Sequence, residues 1–140
     1  MSRDFKFRIW DQRVPGSLMS YDDGHFSISA HGEVFCVNDD VSIENDSFLM
    51  QYTGRKDNTG VELYEGDIVP VQGMIHLGWK QGTYRFKGNG KVVYLADAMR
   101  FAFIVNTEEY GYQIVCYDKG IRQQYEVIGN IYENPELLNT

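Results

Sequence analysis

The chain has 140 residues, 43 % of them hydrophobic and 14 % aromatic, and a formal net charge of −7. That is enough apolar material for one domain with its own core, which excludes a disordered chain. The acidic balance excludes a bulk positive field for nucleic acid or anionic lipid, and no apolar run approaches the roughly 20 residues that span a bilayer.

The elements read in order as short strands and turns. Phe5, Phe7 and Ile9 alternate with Lys6, Arg8 and Trp10, the period of a half-buried strand. Val14-Pro15-Gly16-Ser17 is a predicted turn, Leu18 to Tyr21 a second strand, and Asp22-Asp23-Gly24 another turn. Strands follow over Phe26 to Ala30 and Val34 to Val37, then an acidic, weakly patterned loop from Asn38 to Asp46. Phe48 to Tyr52 is the next apolar block. It runs into a turn-forming stretch, Lys56-Asp57-Asn58-Thr59-Gly60, in which Asp57-Asn58-Thr59-Gly60 resembles the start of a calcium loop but lacks its later ligands, and so reads as a turn.

Val61 to Tyr64 resumes an extended pattern, Glu65-Gly66-Asp67 turns, and Ile68-Val69 opens a strand. Pro70 cannot donate a ladder hydrogen bond, so that strand is at an edge or ends there. Glycines at 73, 78, 82, 88 and 90 argue against long helix and for twisted hairpins or an exposed excursion. Gly88-Asn89-Gly90-Lys91 is read as a hairpin turn. Lys91 to Leu95 and Arg100 to Val105 are β-rich blocks around Ala96-Asp97-Ala98-Met99. Gly111 to Tyr117 is a strand, Asp118-Lys119-Gly120 a turn, and Gln124 to Ile128 a further strand. Near the end Asn134 is placed as an N-cap with Pro135 at the first helical position, predicting one short terminal helical turn. Ten tyrosines and eight phenylalanines suit strands throughout. Many short strands separated by turns predict a mainly β fold, a small barrel or sandwich.

The charge is unevenly divided. Asp22 to Asp67 holds eleven acids and two bases, a net of −9, whereas Ile68 to Ala96 holds no acid and four bases, Lys80, Arg85, Lys87 and Lys91. In the second stretch Trp79-Lys80 and Tyr84-Arg85-Phe86-Lys87 interleave aromatics with cations. That pattern makes Trp79, Lys80, Tyr84, Arg85, Lys87 and Lys91 the candidate binding surface, since aromatics stack on bases and cations neutralise phosphates. The plainer reading is a solvated hairpin whose aromatics cover the barrel and whose bases face out. A third is self-association, in which the basic and acidic regions of neighbouring copies meet.

Catalytic and metal motifs are missing. His25, His31 and His76 fit no metal spacing; Asp22, Asp23, His25 and His31 could surround a cation but read more simply as a polar turn and strand ends. Cys36 and Cys116 are far apart, lie in apolar stretches, and are expected as buried free thiols. There is no nucleophile elbow and no phosphate loop, and Glu108-Glu109 reads as a solvated pair. The expectation is a protein that is not an enzyme and uses no metal or cofactor. With no apolar signal core after Met1-Ser2-Arg3-Asp4, the expected compartment is the cytoplasm.

Four blocks then resemble one family. Phe7-Arg8-Ile9-Trp10-Asp11, Leu49-Met50-Gln51-Tyr52-Thr53-Gly54 with Lys56-Asp57, Leu63-Tyr64-Glu65-Gly66-Asp67-Ile68-Val69, and Glu126 to Leu138 with its Gly129-Asn130 and Asn134-Pro135 pairs are similar, in order, to the signature blocks of YopX proteins. The resemblance implies a phage or prophage origin, a β-rich fold with an SH3-like barrel component, and homo-oligomers; it implies no activity. It covers nearly the whole chain as one domain, within which an N-terminal β subregion (1–50) and a barrel-like subregion (51–140) are expected. Trp10, Asp11, Gln51, Tyr52, Gly54, Tyr64, Gly66, Asp67, Gly129, Asn130, Asn134 and Pro135 are expected to be structural. Pro70 and the long basic excursion from Val71 to Lys91 depart from the family pattern. The expectation is a non-enzymatic phage accessory protein working through contacts with itself or with other phage or host proteins, and not with a membrane. The alternative is a nucleic-acid-binding module using the stretch 79–91.

Overall fold

Period-two alternation becomes strand over most of residues 5–13, 16–21, 26–36, 47–116 and 125–139, which the computed structural model describes. The predicted turn at Asp22-Asp23-Gly24, the loop from Asn38 to Asp46 and the turn at Asp118-Lys119-Gly120 lie outside the described residues, as do Val14 and Pro15 of the first turn. The chain divides into two units, Met1–Gly54 and Arg55–Thr140.

In the first unit β1 (Phe7–Asp11) runs antiparallel to both β2 (Leu18–Tyr21) and β5 (Ser47–Lys56). Ile9 faces Ser20 on one side and Leu49 on the other. A separate hairpin joins β3 (Phe26–Ile28) to β4 (Val34–Cys36), with Ile28 opposite Val34. Ile9 and Val34 form the buried cluster, and Phe26 and Leu49 pack on it. β1 is more enclosed than a half-buried strand: Arg8 and Asp11 are each 3 % exposed. Asp11 is satisfied by Arg13, whose Nε and Nη2 donate to its two carboxylate oxygens at 3.1 and 3.0 Å.

In the second unit the end of β5 turns into β6 (Glu62–Tyr64), closed by the N–H of Asp57 on the carbonyl of Val61 at 2.8 Å. Then β7 (Asp67–His76), β8 (Thr83–Leu95), β9 (Arg100–Thr107), β10 (Gly111–Val115) and β11 (Gly129–Asn130) form an antiparallel sheet in the order β10-β9-β8-β7-β11. The sheet curls into a half-barrel around Leu63, Val69, Val71, Phe86, Val92, Phe103, Val105 and Tyr125. Phe103 and Tyr125 stack at 5.0 Å.

Three expectations need correcting. Gly88-Asn89-Gly90-Lys91 is not a turn but the middle of β8. Its glycines are there for space: a Cβ on Gly88 would lie 2.9 Å from Val105, and one on Gly90 3.1 Å from Val71 and 3.2 Å from Phe103. Tyr125 to Ile128 forms no regular strand, because the Val127 N–H goes to the Asp57 carboxylate at 2.9 Å rather than into a ladder; pairing begins at Gly129. The short terminal helical turn is present, as 3-10 over Pro135–Asn139, but its expected cap differs: the Asn134 side chain accepts from the N–H of Asn130 at 3.3 Å. Pro70 does lie beside an open edge, since β11 pairs only with Asp67 and Ile68, but β7 continues past it to His76.

Gly73 sits directly opposite Phe86, and the Phe86 ring lies over it where a Cβ would be. Gly73→Ala therefore forces the ring out of the core and should cost about 1–3 kcal/mol, read as a lower urea midpoint. Pairing it with Phe86→Leu should recover part of that loss; strict additivity of the two costs would contradict the contact.

Candidate functional site

The basic excursion is a single long hairpin. β7 and β8 stay in register from Ile68 opposite Lys91 to His76 opposite Thr83. The Leu77 N–H donates to the Gly82 carbonyl and the Gly82 N–H to the Gly78 carbonyl, both at 3.0 Å. Gly78 and Gly82 adopt φ of +106° and +77°, open to glycine at no steric cost, which is why this tip closes where it does.

Residues directly opposite share a face, so the pleat sorts the interleaved aromatics and cations. Phe86 opposite Gly73 and Tyr84 opposite Ile75 turn inward; Phe86 is core, and Tyr84 packs its ring 4.9 Å from Tyr110. Gln72 opposite Lys87, Met74 opposite Arg85 and His76 opposite Thr83 turn outward, and all six are exposed. Trp79 at the tip is 90 % exposed, with the Lys80 ammonium 5.1 Å from its ring centre. Lys91 sits at the hairpin's root, half-buried between Ile68 and Ile104. The structure thus gathers Trp79, Lys80, Arg85 and Lys87 on the outer face and tip, and takes Tyr84 out of that surface. Met74, 56 % exposed between the cations, was missed; its even spacing from Gln72 and His76 was the available signal.

A cavity of about 310 Å³ lies in the first unit. Phe7 and Ile9 of β1, Ser20 and Tyr21 of β2, Phe26 and Ile28 of β3, and Ser29 line it. Among the described residues that line it none is charged. Sequence reading missed it because it is made by residues on three strands whose relative placement periodicity does not give.

The signature residues hold turns. Asp57 Oδ1 accepts from the N–H of Thr59, the Thr59 hydroxyl and the N–H of Val61 at 2.9, 2.7 and 2.9 Å, while Oδ2 takes the N–H of Val127. Burial alone would raise this carboxyl, but those donors outweigh it and hold it below the usual range. Asp11 is likewise lowered, first by its side-chain hydrogen bond with Arg13. Asp67, 2 % exposed, accepts the Tyr64 N–H at 2.8 Å across Gly66, whose φ is +86°. Gly54 has the same φ, Tyr52 is buried with its N–H on the Lys6 carbonyl, and Trp10 and Gln51 are half-buried on β1 and β5. Asn130 Oδ1 accepts from Tyr132 and Glu133, and Gly129 leaves room for Asn134, whose side chain a Cβ would meet at 2.6 Å. Pro135 opens the 3-10 turn. Among the described residues no group of three or more His, Cys, Asp or Glu could hold a metal, no helix is long and apolar enough to cross a membrane, and Cys116 is a free, half-buried thiol.

Strand ladders, a curled sheet and, among the described residues, a single 3-10 turn define a mainly β protein of the half-barrel class. The model of the YopX protein family matches residues 6–139, and the chain belongs to that family. The crystal structure of protein EF1440 from Enterococcus faecalis is similar, with a TM-score of 0.54 and 28 % identity over 98 % of this chain and 99 % of that one. No curated protein matches the chain.

Asp57 is charged in the fold at pH values where the unfolded carboxyl, near pKa ~3.9, begins to protonate. Its contribution is therefore present above that value and is lost as pH falls through the lower folded value. Asp57→Asn, which places N–H groups against donors, should cost about 1–3 kcal/mol at neutral pH and flatten the fall in stability on acidification. Urea midpoints at neutral and acid pH check this; an equally steep fall in the variant would contradict it.

Proposed function

We propose that this chain is a non-enzymatic contact module, carried by phage or prophage genomes and working in the host cytoplasm, that self-associates through its β7–β8 hairpin. The observation that carries the reading is the outer hairpin face: Met74 and Trp79 exposed among Lys80, Arg85 and Lys87, in a stretch without one carboxylate from Ile68 to Ala96. A chain of net charge −7, with a formal −9 in residues 22–67, carries on every copy an acidic stretch opposite in sign to the hairpin. The phage association is what the resemblance of the four signature blocks to YopX proteins implies. The inward turn of Tyr84 and Phe86 leaves Trp79 as the exposed aromatic of the set, a poor stacking platform for single strands.

Light scattering tests this. The purified chain should exceed the monomer mass of 16.2 kDa at low ionic strength. It should dissociate as salt shortens the screening length from ~30 Å toward ~3 Å. Replacing Lys80, Arg85 and Lys87 together by Glu should give a monomer at low salt. A strictly monomeric wild type, or salt-dependent capture of oligonucleotides by the hairpin cations, would contradict the reading.

A further inference from the structure

We propose that the outer edge of β10 takes an extended segment of another polypeptide as an added antiparallel strand, and that this segment is basic at its C-terminal end. The surface is separate from the hairpin face and does not rest on self-association.

The open edge follows from the ladder. In antiparallel pairs a residue points its N–H and C=O to one neighbouring strand, and the next residue points its own to the other. The Gly82 carbonyl accepts from Leu77 and the Val92 carbonyl from Gly66, so the even positions of β8 face β7. The odd ones, Lys91 and Val93, then face β9 opposite Ile104 and Ala102. That leaves Phe103 and Val105 to bond with Val115 and Gln113 of β10. Tyr112 and Ile114 therefore point their N–H and C=O groups away from the sheet. β10 ends the strand order, and among the described residues no strand pairs with its other side.

Edge strands are commonly guarded by charge or proline, yet Gly111 to Cys116 carries no charged residue and no proline. The side chains of Tyr112 and Ile114 are 73 and 56 % exposed, and they lie opposite Asn106 and Ile104 on the outward row of the half-barrel. Aromatic and β-branched side chains on alternate positions are what a cross-strand partner packs on. Main-chain bonds with alternate side-chain contacts are how sheet edges take peptides. Charge then chooses the occupant. An antiparallel segment ends beside Gly111, where the preceding turn exposes Glu108 and Glu109, and Lys or Arg at that end complements them. A second copy does not supply this: residues 108–116, the stretch it would bring, hold those two acids and no base, on a chain of net charge −7.

Titration of the full chain with a synthetic peptide, Thr-Val-Thr-Val-Thr-Lys-Lys with blocked ends, tests this by amide exchange in NMR spectra. Saturable binding should slow exchange of the Tyr112 and Ile114 N–H groups. The same peptide ending in Glu-Glu should bind about fivefold more weakly, the scale of an exposed ion pair. Ile114→Pro removes an outward donor and leaves the β9 ladder intact, so the variant, shown folded by circular dichroism, should bind about tenfold more weakly. Methylating the peptide's ladder-facing N–H groups should weaken binding similarly and needs no variant. No saturable binding, or undiminished binding by the methylated peptide or by folded Ile114→Pro, overturns strand addition. Equal binding of the Glu-ended peptide, or protection of Tyr112 and Ile114 that rises with protein concentration alone, overturns the basic segment as occupant.

Discussion

The carboxylate of Asp57 joins two parts of the chain that are 70 positions apart, bonding the turn after β5 and the N–H of Val127 at once. Much of the second unit follows from that tie. The Asn58 N–H reaches the Tyr125 carbonyl beside it, which brings the Tyr125 ring onto Phe103 in the core. The Ile128 N–H then donates to the Ile68 carbonyl, and β11 pairs with the start of β7. The Ile131 N–H returns to the Gly66 carbonyl, so the turn that launches β7 is fixed from both sides. A buried carboxylate that accepts four donors has its desolvation offset by them, and it organises backbone that would otherwise lack ladder partners.

With its root fixed in this way, the β7–β8 hairpin is free to carry something besides structure. Its inner face completes the core through Phe86, and the glycines opposite and below that ring let strands approach where side chains would collide. Its outer face carries exposed Met74, and its tip a nearly bare Trp79. Exposed apolar groups cost hydration, and contiguous patches of them mark contact surfaces. The same stretch concentrates the cations of an acidic protein. Core-facing and exposed side chains are therefore separated within one pair of strands, by pleat parity alone.

That parity was legible before any coordinates. Tyr84 and Phe86 occupy one parity and Arg85 and Lys87 the other, which already distinguishes a covered aromatic row from a solvated basic row. The Glu65-Gly66-Asp67 turn was also readable, because only glycine takes its φ of +86° cheaply and aspartate caps it locally. The Gly88 and Gly90 pair misled, since glycine serves turns and close packing alike, and only the distance to Val105 and Phe103 decides between them. Asp57 was read as a turn residue, which it is, but its bond to Val127 was invisible: no local pattern marks a partner seventy residues on. The cavity was invisible for the same reason, being assembled from β1, β2 and β3.

The central claim is that the hairpin tip is a contact surface between copies. Hydrogen exchange followed by mass spectrometry at low and high protein concentration reads this directly, because only groups covered by association change with concentration. The account predicts slower exchange at high concentration in peptides covering residues 77–87, with the remainder of the half-barrel unchanged. Identical exchange at both concentrations over residues 77–87, in a protein shown to associate, would contradict it.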